Sequence, residues 1–145
     1  MSTVKDILSA KNSDIQSIPP NAMVFEALQK MSEKEIGALV VMENEKVVGI
    51  ISERDYARKI ILLGKTSKET MVKEVMSSNL FSVNPDSSLE EAMVLMTGKH
   101  VRHLPVFENN KFVGIISIGD VVKSIISNKD FLIDQLSNYI AGKYY

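Results

Sequence analysis

The sequence predicts a mixed α/β (α+β) fold in which one small unit occurs twice. Residues 17–62 align with residues 82–127 without a gap, and 19 of the 46 aligned pairs are identical, where chance would give about three. Each copy contains one segment with apolar residues at helical spacing and several nearly continuous apolar runs of strand length. The segments follow the same order, β-α-β-β-α, in both copies. An internal repeat of this kind predicts two homologous units that together form one core.

The similarity extends upstream of each copy. VKDILSAK (Val4–Lys11) matches VKEVMSSN (Val72–Asn79), and the first copy carries three extra residues, Asn12–Asp14, after this segment. We predict a short lead helix in each, at Val4–Leu8 and Val72–Met76.

The bounds of the two similar segments predict two repeats, a short stretch that joins them and a C-terminal segment. The first repeat covers residues 3–64, the second covers 71–128, and the polar stretch Gly64–Thr70 joins them. Residues 129–145 are predicted to form a C-terminal amphipathic helix and tail, which would cover an edge or form a dimer contact. The apolar side of this helix is formed by Leu132, Leu136, Tyr139 and Ile140.

Within each repeat a short strand ending at or near a proline comes first, at Ile15–Pro19 and Leu80–Val83. A helix follows, and its apolar positions recur at i, i+3, i+4 and i+7. In the second copy Ser87 and Glu90 form a capping-box pattern ahead of it. The apolar positions are Val24, Ala27, Leu28 and Met31 in the first copy, and Leu89, Ala92, Met93 and Met96 in the second.

A hairpin and a closing helix complete each repeat. The hairpin turns are Glu-Asn-Glu-Lys and Glu-Asn-Asn-Lys, compositions that favour tight turns, and the closing helices begin near Ser52 and Ser117. Because the strands are apolar on both sides, we expect two sheets packed against each other with pseudo-two-fold symmetry. The predicted strands are Ala38–Met42 with Val47–Ile51, and Leu104–Phe107 with Phe112–Ile116.

The composition narrows the function classes. The chain has no cysteine, which excludes disulfides, cysteine-ligated metals and a cysteine nucleophile, and its net charge of −1 gives no reason to expect nucleic acid. It shows no signal peptide and no apolar run long enough to span a membrane, so we expect a cytoplasmic protein. His100 and His103 lie three residues apart, but two ligands are too few for a metal site, and none is predicted.

The junction between the last strand and the closing helix is the most informative motif. It reads VGIISERD in the first copy and VGIISIGD in the second. Ser and Asp three residues apart at a helix start are typical of a capping box. The same position offers unpaired N–H groups to a phosphate, a Ser hydroxyl as a donor, and an Asp carboxylate that accepts hydrogen bonds from a ribose. The two roles can coexist, so both remain open for Ser52, Asp55, Ser117 and Asp120.

Two β-α-β-β-α copies with this junction resemble a tandem pair of CBS domains, named after cystathionine β-synthase and also called a Bateman module. The motifs that carry the resemblance are EALQKM/EAMVLM, IGALVV/VRHLPV and the two G-I-I-S-x-x-D segments. The form SERDYARKI is similar to that of small stand-alone bacterial CBS-pair proteins. The resemblance implies a regulatory module that binds adenosine-containing ligands in clefts between the repeats and usually forms homodimers.

The resemblance and the charges together predict two unequal nucleotide sites. The first combines Ser52, Arg54 and Asp55 with adenine-side contacts from the second copy, and Arg54 can hold phosphate through a bidentate fork. The second has less positive charge, so we favour the first for a phosphorylated nucleotide. The other predicted contacts of the first site are Ser82, Val83, Val101, Arg102 and His103. The second site is predicted to contain Ser117, Asp120, Ile18, Ile36, Gly37 and Ala38.

The leading hypothesis is therefore a non-enzymatic sensor of AMP, ADP or ATP that acts on an unidentified regulated protein, without a catalytic cofactor. One alternative is a ligand-free interaction or oligomerisation scaffold, and another is a module that binds NAD or S-adenosylmethionine. An enzyme is disfavoured because no phosphate-binding loop or acid–base motif is present. His103 beside a nucleotide is the residue that could still act as an acid or base.

Overall fold

The computed structural model describes residues 2–11 and 15–142, so the three extra residues Asn12–Asp14 of the first copy lie outside the described part. Within it the first repeat forms a three-stranded sheet and the second a two-stranded sheet. A π-helical turn, Ala57–Ile61, directly follows the short helix Glu53–Tyr56. The elements in order are α1 Val4–Lys11, β1 Ser17–Ile18, α2 Val24–Lys34, β2 Ala38–Glu43, β3 Lys46–Ser52, α3 Glu53–Tyr56, α4 Val72–Val75, α5 Leu89–Lys99, β4 His103–Glu108, β5 Lys111–Ser117 and α6 Ile118–Ile140.

The two hairpins, β2–β3 and β4–β5, confirm the predicted repeat most closely. Both turns place two consecutive residues at positive φ, Asn44 and Glu45 in the first and Asn109 and Asn110 in the second. This is the conformation of a tight turn whose twist matches the twist of paired strands. Each hairpin also has a register shift at the same relative position, after Val41 and after Val106.

The short strand that precedes each first helix is present in only one repeat. The strand predicted at Ile15–Pro19 is present in shorter form as β1, which pairs in parallel with β2. In the second repeat Leu80–Val83 makes a single bridge, between Val83 and Val106, so the predicted strand there is wrong. The Val83 backbone N–H donates to the Pro105 carbonyl at 3.2 Å, and the Val83 carbonyl accepts from the Phe107 N–H at 3.0 Å. The next bond in this ladder would need an N–H from Pro105, which proline lacks.

The main helices α2 and α5 form as predicted, but the cap of α5 lies one residue later than expected. Ser88 is the N-cap and accepts a hydrogen bond from the Glu91 backbone N–H at 3.0 Å. Ser87 instead accepts from the backbone N–H of Asn84 at 3.1 Å and stabilises the turn before the helix. Either of the two adjacent serines could cap the helix, because serine is a favoured N-cap residue. Ser87 is already hydrogen-bonded within the preceding turn, so Ser88 is the cap.

The two lead helices are exchanged between the repeats. α1 buries Val4 and Ile7 in the core of the second repeat, and α4 buries Val72 and Val75 in the core of the first. The backbone N–H of Val4 donates to Ser87 at 2.9 Å, and the N–H of Val72 donates to Ala22 at 2.8 Å. Neither repeat therefore completes its core with its own lead helix.

The glycine of each VGII segment permits this exchange. A Cβ at Gly49 would lie 2.6 Å from Met76 Sδ and 3.0 Å from the Ser77 carbonyl oxygen, and a Cβ at Gly114 would lie 2.8 Å from Leu8 Cδ2. Real Cβ atoms essentially never show the contacts below 3.0 Å, and the contact of 3.0 Å with the Ser77 oxygen is tighter than most. The missing side chain therefore lets the segment at the end of each lead helix cross the last strand of the other repeat.

The repeats pack through their sheets, as predicted. A third apolar cluster lies between them, with strand residues of the first repeat on one side and residues of the second on the other. Its buried members are Ala38, Val40 and Ile50, and its partly buried members are Met42, Val47, Leu80, Phe112 and Ile115. Helices cover the outer faces, so both sheets are buried on both sides.

The closing helices differ in length. In the first repeat α3 passes into the π-helical turn after four residues, whereas α6 runs for 23 residues. The C-terminal segment is helical as predicted, but it continues the closing helix because no glycine or proline interrupts it between Asp120 and Ile140. Its described side chains at Ile133, Leu136 and Ile140 are exposed; those of Leu132 and Tyr139 lie outside the description.

The predicted linker is part of the first repeat's structure. Thr70 is buried and its hydroxyl donates to Thr66 at 2.8 Å, while the backbone carbonyls of Thr70 and Ser67 accept from the first N–H groups of α2. These contacts satisfy donors that a helix start leaves unpaired. Among the described residues no helix is long and apolar enough to cross a membrane.

Candidate functional site

Two clefts lie between the repeats, one at each Ser-x-x-Asp junction. The first has a volume of about 470 Å³ and contains Ser52 and Asp55. The second has a volume of about 380 Å³ and contains Ser117 and Asp120. Both volumes fall within the range of small-molecule sites.

The first junction is a closed capping box. The Ser52 backbone N–H donates to Asp55 Oδ2 at 2.9 Å, and the Asp55 N–H donates to Ser52 Oγ at 3.2 Å. Lys59 Nζ approaches Asp55 Oδ1 at 3.2 Å and also donates to the Val75 carbonyl at 2.9 Å. The capping role is thus present, and a lysine one helical turn later partners the carboxylate.

The second junction repeats the box with a different lysine. The Ser117 N–H donates to Asp120 Oδ2 at 2.8 Å, and the Asp120 N–H donates to Ser117 Oγ at 3.0 Å. Lys11 Nζ, from the exchanged helix α1, lies 3.0 Å from Asp120 Oδ2 and 3.1 Å from the Ile115 carbonyl oxygen. Burial alone would raise the pKa of Asp120, but the hydrogen bonds from Ser117 and Lys11 outweigh it and hold this pKa below 3.8.

Positive side chains line the first cleft. Arg54, Arg58, Lys59 and Arg102 are present together with the acids Glu53 and Asp55, so cations exceed anions. Arg54 Nη1 donates to the backbone carbonyl of His100 at 3.3 Å, across the boundary between the repeats. That bond joins two residues that line the cleft, one from each repeat.

The second cleft has the opposite balance. Its charged lining residues are Lys11, Glu35 and Asp120, so anions exceed cations, and the one lysine is already paired with Asp120. The prediction that this cleft carries less positive charge agrees with the geometry.

Most of the predicted site residues do line a cleft. Three predicted residues do not. Ile18 and Val83 are buried in the cores of their own repeats, at 5% and 9% exposure, and Ser82 is exposed outside the cleft. The chain lines the clefts with the residues just before these, Leu80 and Phe81 in the first cleft and Ile15 and Gln16 in the second. The first cleft contains Ser52, Arg54, Asp55, Val101, Arg102 and His103, and the second contains Ser117, Asp120, Ile36, Gly37 and Ala38.

Gly37 and His103 form a wall shared by both clefts. A Cβ at Gly37 would lie 3.7 Å from His103 Nε2, so the glycine backbone faces the imidazole closely. Burial, followed by the positive charge of Lys11, lowers the pKa of His103 below 6.5. We therefore expect a neutral imidazole at pH 7 that both donates and accepts one hydrogen bond.

Sequence reasoning missed several lining residues: Lys11, Glu35, Arg58, Lys59 and Asn79. Lys11 and Asn79 occupy equivalent positions in the two lead segments, and this pairing was a usable signal. The sequence shows only that these positions are equivalent. The exchange of the lead helices, which the structure shows, is what places Asn79 in the first cleft and Lys11 in the second. Among the described residues no cluster of three potential metal ligands occurs.

Comparison with known proteins supports the fold. The CBS domain family model matches residues 3–62 and 72–127. The chain is 35% identical over 151 residues to the mitochondrial CBS domain-containing protein CBSX3 of Arabidopsis thaliana, covering 98% of this chain and 73% of the relative. It is 36% identical over 129 residues to the CBS domain-containing protein YhcV of Bacillus subtilis, covering 89% of each.

Solved structures agree. A putative signal-transduction protein with CBS domains from Burkholderia ambifaria is 44% identical, with a TM-score of 0.84 over 87% of this chain and 95% of that one. A more distant CBS domain pair, 22% identical with a TM-score of 0.76 over 88% of this chain and 98% of that one, was solved with 5-methylthioadenosine and S-adenosyl-L-methionine; this likeness shows the fold alone. With two matched repeats and a pair of clefts between them, the chain belongs to the CBS domain family as a tandem pair.

Proposed function

We propose that this chain is a non-enzymatic regulatory module that binds AMP, ADP or ATP in its first cleft. The observation that carries the proposal is the excess of cationic side chains around a Ser-x-x-Asp junction in a cleft of ligand size. A nucleotide carries its negative charge at one end, and this cleft carries its positive charge at one junction.

The ribose and phosphate have separate partners in this arrangement. The Asp55 carboxylate and the Lys59 ammonium, 3.2 Å apart, present an acceptor and a donor side by side, which suits the hydroxyls of a ribose. Arg54 and Arg102 come from different repeats and would clamp the phosphate between them.

The apolar part of the first cleft suits the base. Ile50, Leu80, Phe81 and Val101 line it, and an aromatic or branched side chain on each face of a purine would exclude water. Polar selection of adenine would fall to backbone groups along this wall.

A titration panel tests the proposal. Calorimetry and thermal unfolding should be run with AMP, ADP, ATP, NAD and S-adenosylmethionine. A site filled at 100 times its dissociation constant raises the free energy of unfolding by about 2.7 kcal/mol. Arg54→Gln should weaken AMP binding by about tenfold or more, because a charge-assisted hydrogen bond contributes about 1.5–3 kcal/mol.

The matched control is Lys46→Gln, which removes one positive charge at the exposed hairpin turn outside both clefts. Equal weakening by both variants would reduce the effect to net charge and contradict a phosphate contact at Arg54. The absence of any response to the panel would favour a ligand-free scaffold.

Regulation by this module would require a ligand that binds one arrangement of the repeats better than another. Self-association into a homodimer is part of the proposal, supported by exposed apolar side chains at Ile61, Leu62 and Leu63 and along α6; analytical ultracentrifugation with and without AMP tests it. A cytoplasmic location and an unidentified regulated protein remain predictions from the sequence.

A further inference from the structure

The closing helix α6 extends well beyond the core of the second repeat. Its residues Ile118, Val121 and Ile125 pack in that core, and among the described residues none after Ile125 belongs to an apolar cluster of either repeat. The CBS family model ends at residue 127, whereas the helix continues to Ile140. Packing within the two repeats therefore does not account for the apolar residues in the last part of α6.

A stripe of apolar residues runs along an exposed side of α6. Its five apolar members are between 40% and 82% exposed, and a lysine occupies the remaining position. Successive members are separated by four, three, four, three and four residues, which is the a/d spacing of a coiled-coil seam. The members of this α6 stripe are Val122, Ile126, Lys129, Ile133, Leu136 and Ile140.

The spacing of the α6 stripe is the same in both directions along the helix. A second copy of α6 that runs antiparallel, centred on position 131, therefore places every member of one stripe opposite a member of the other. An interface that uses the same surface of both copies is the usual form of a homodimer contact. The facing pairs are Val122 with Ile140, Ile126 with Leu136, and Lys129 with Ile133.

Lys129 distinguishes the two possible directions of the second helix. In a parallel, in-register pair the two Lys129 ammonium groups would face each other within the seam, and like charges repel. In the antiparallel pair each Lys129 lies level with positions 130–134 of the other copy, where Asp134 is exposed and the sequence also carries Asp130. The lysine stem can cover apolar surface while its ammonium reaches a carboxylate. Charge complementarity therefore favours a second copy of this chain, in the antiparallel direction.

We propose that two copies of this chain associate through the α6 stripe as an antiparallel helix pair centred on position 131. The inference deepens the self-association that forms part of the proposed function and rests on it. Four of the six stripe members lie beyond residue 127, where the family model ends, so this contact would belong to the C-terminal extension as well as to the repeats. No member of the stripe lines either cleft, so the contact does not require a bound nucleotide.

A charge placed in the stripe tests the contact. Leu136→Glu in the full chain should raise the dissociation constant of the dimer on the order of 100-fold, because a symmetric interface buries the new carboxylate twice. Analytical ultracentrifugation over a concentration series measures this constant. The matched control is Ser127→Glu, which adds the same charge to an exposed position of α6 outside the stripe and should change the constant by less than about twofold. Circular dichroism checks that both variants fold; an unchanged constant in Leu136→Glu, or equal weakening in both, would overturn the inference.

The direction of the helix pair can be tested with disulfides, since the chain has no cysteine of its own. Ile126→Cys and Leu136→Cys would face each other in the antiparallel pair, whereas identical positions would be about 15 Å apart along the helix axis, too far for a disulfide. Mild oxidation of a mixture of the two variants should give a covalent dimer containing one copy of each, and either variant alone should remain uncross-linked. Disulfides between identical variants, or none in the mixture, would contradict the antiparallel pair.

The proposed function and this inference fail separately when AMP binding is measured by calorimetry on the same proteins. If Leu136→Glu stays dimeric and binds AMP, the α6 contact fails and nucleotide binding stands. If the natural chain forms the predicted disulfide pair and binds no nucleotide, the proposed nucleotide function fails and the α6 contact stands. A natural chain that stays monomeric overturns the α6 contact whatever it binds.

Discussion

The first and second clefts show how a duplicated unit can keep one geometry and change its chemistry. Both contain the same serine–aspartate box, and in both a lysine partners the aspartate. The lysine comes from the closing helix in the first cleft and from an exchanged lead helix in the second. The position of the ammonium is thus retained although its source in the chain has changed.

The exchange of partners is reciprocal. Lys59 aligns with Ser124, and Lys11 aligns with Asn79, so at each of these two pairs of aligned positions one residue is a lysine and the other is neutral. Both junctions therefore place a cation beside the aspartate, where it favours the charged carboxylate, whereas the other charged residues that line the clefts differ.

The largest expected effect tests whether the repeats are one folding unit. Leu39 and Leu104 are equivalent and both are fully buried. Leu39→Ala and Leu104→Ala should each lower the free energy of unfolding by about 2–5 kcal/mol. Because each core contains the other repeat's lead helix, urea unfolding followed by circular dichroism should show one transition for both variants.

Val94→Ala, at an exposed position of α5, is the control and should change the free energy by less than about 0.5 kcal/mol. Two separate unfolding transitions in either leucine variant would contradict a single folding unit and show that the repeats fold independently.

A smaller effect should distinguish the two helix crossings. Gly49→Ala should cost about 1–3 kcal/mol, because its Cβ would press on the Ser77 backbone as well as on Met76. Gly114→Ala should cost less, because its Cβ would meet only the end of the Leu8 side chain, which can rotate. Thermal and urea unfolding measure the difference.

Gly98→Ala, where a Cβ would meet nothing within 4 Å on helix α5, should stabilise the protein by about 0.5–1 kcal/mol. Equal costs at Gly49 and Gly114 would mean that the lead segments adjust equally at both crossings.

The smallest effect concerns the Lys11–Asp120 pair and its dependence on pH. Lys11→Met should lower the free energy of unfolding at pH 7 by about 1 kcal/mol or less, as for other partly exposed ion pairs. Lys5→Met, on the exposed side of the same helix, is the control and should have little effect.

The loss caused by Lys11→Met should shrink as pH falls. The lowered pKa of Asp120 means that the pair stabilises the fold above the unfolded pKa of about 3.9, and that this contribution disappears as pH falls through the folded pKa. Lys11 also holds the pKa of His103 down, which costs the natural protein stability below about pH 6.5. Both effects reduce the difference in free energy of unfolding between the natural protein and Lys11→Met as pH falls. A difference that grows between pH 7 and pH 3, measured by urea unfolding, would contradict the ion pair.

Much of the fold was predictable because it depends on local patterns repeated in the chain. The hairpins followed from apolar runs around Asn-containing turns, and α2 and α5 followed from helical spacing. The strand at Leu80–Val83 was predicted wrongly because Pro105, on the opposite segment, withholds the N–H that a second ladder bond requires. The strand propensity of Leu80–Val83 depends on its own residues alone. It therefore contains no information about the backbone N–H that Pro105 lacks on the neighbouring strand.

The candidate site was predictable as far as its junctions. Ser52, Asp55, Ser117 and Asp120 were identified because the motif occurs twice, and the structure places each pair in a cleft. Ile18 and Val83 were assigned to the clefts from the resemblance to the CBS family, but both are buried in the cores of their own repeats. Which residue of an extended segment faces a cleft depends on how that segment docks.

The sequence by itself determined the duplication, the order of elements and the serine–aspartate junctions, because these depend on residue spacing within each repeat and on its recurrence along the chain. Only the tertiary structure decided that the lead helices change places, and with them where Lys11 and Asn79 lie. Contacts between residues such as Lys11 and Asp120, 109 positions apart, form when the two repeats pack together. No local pattern encodes them, because their free energy comes from burying the surfaces of both repeats at once.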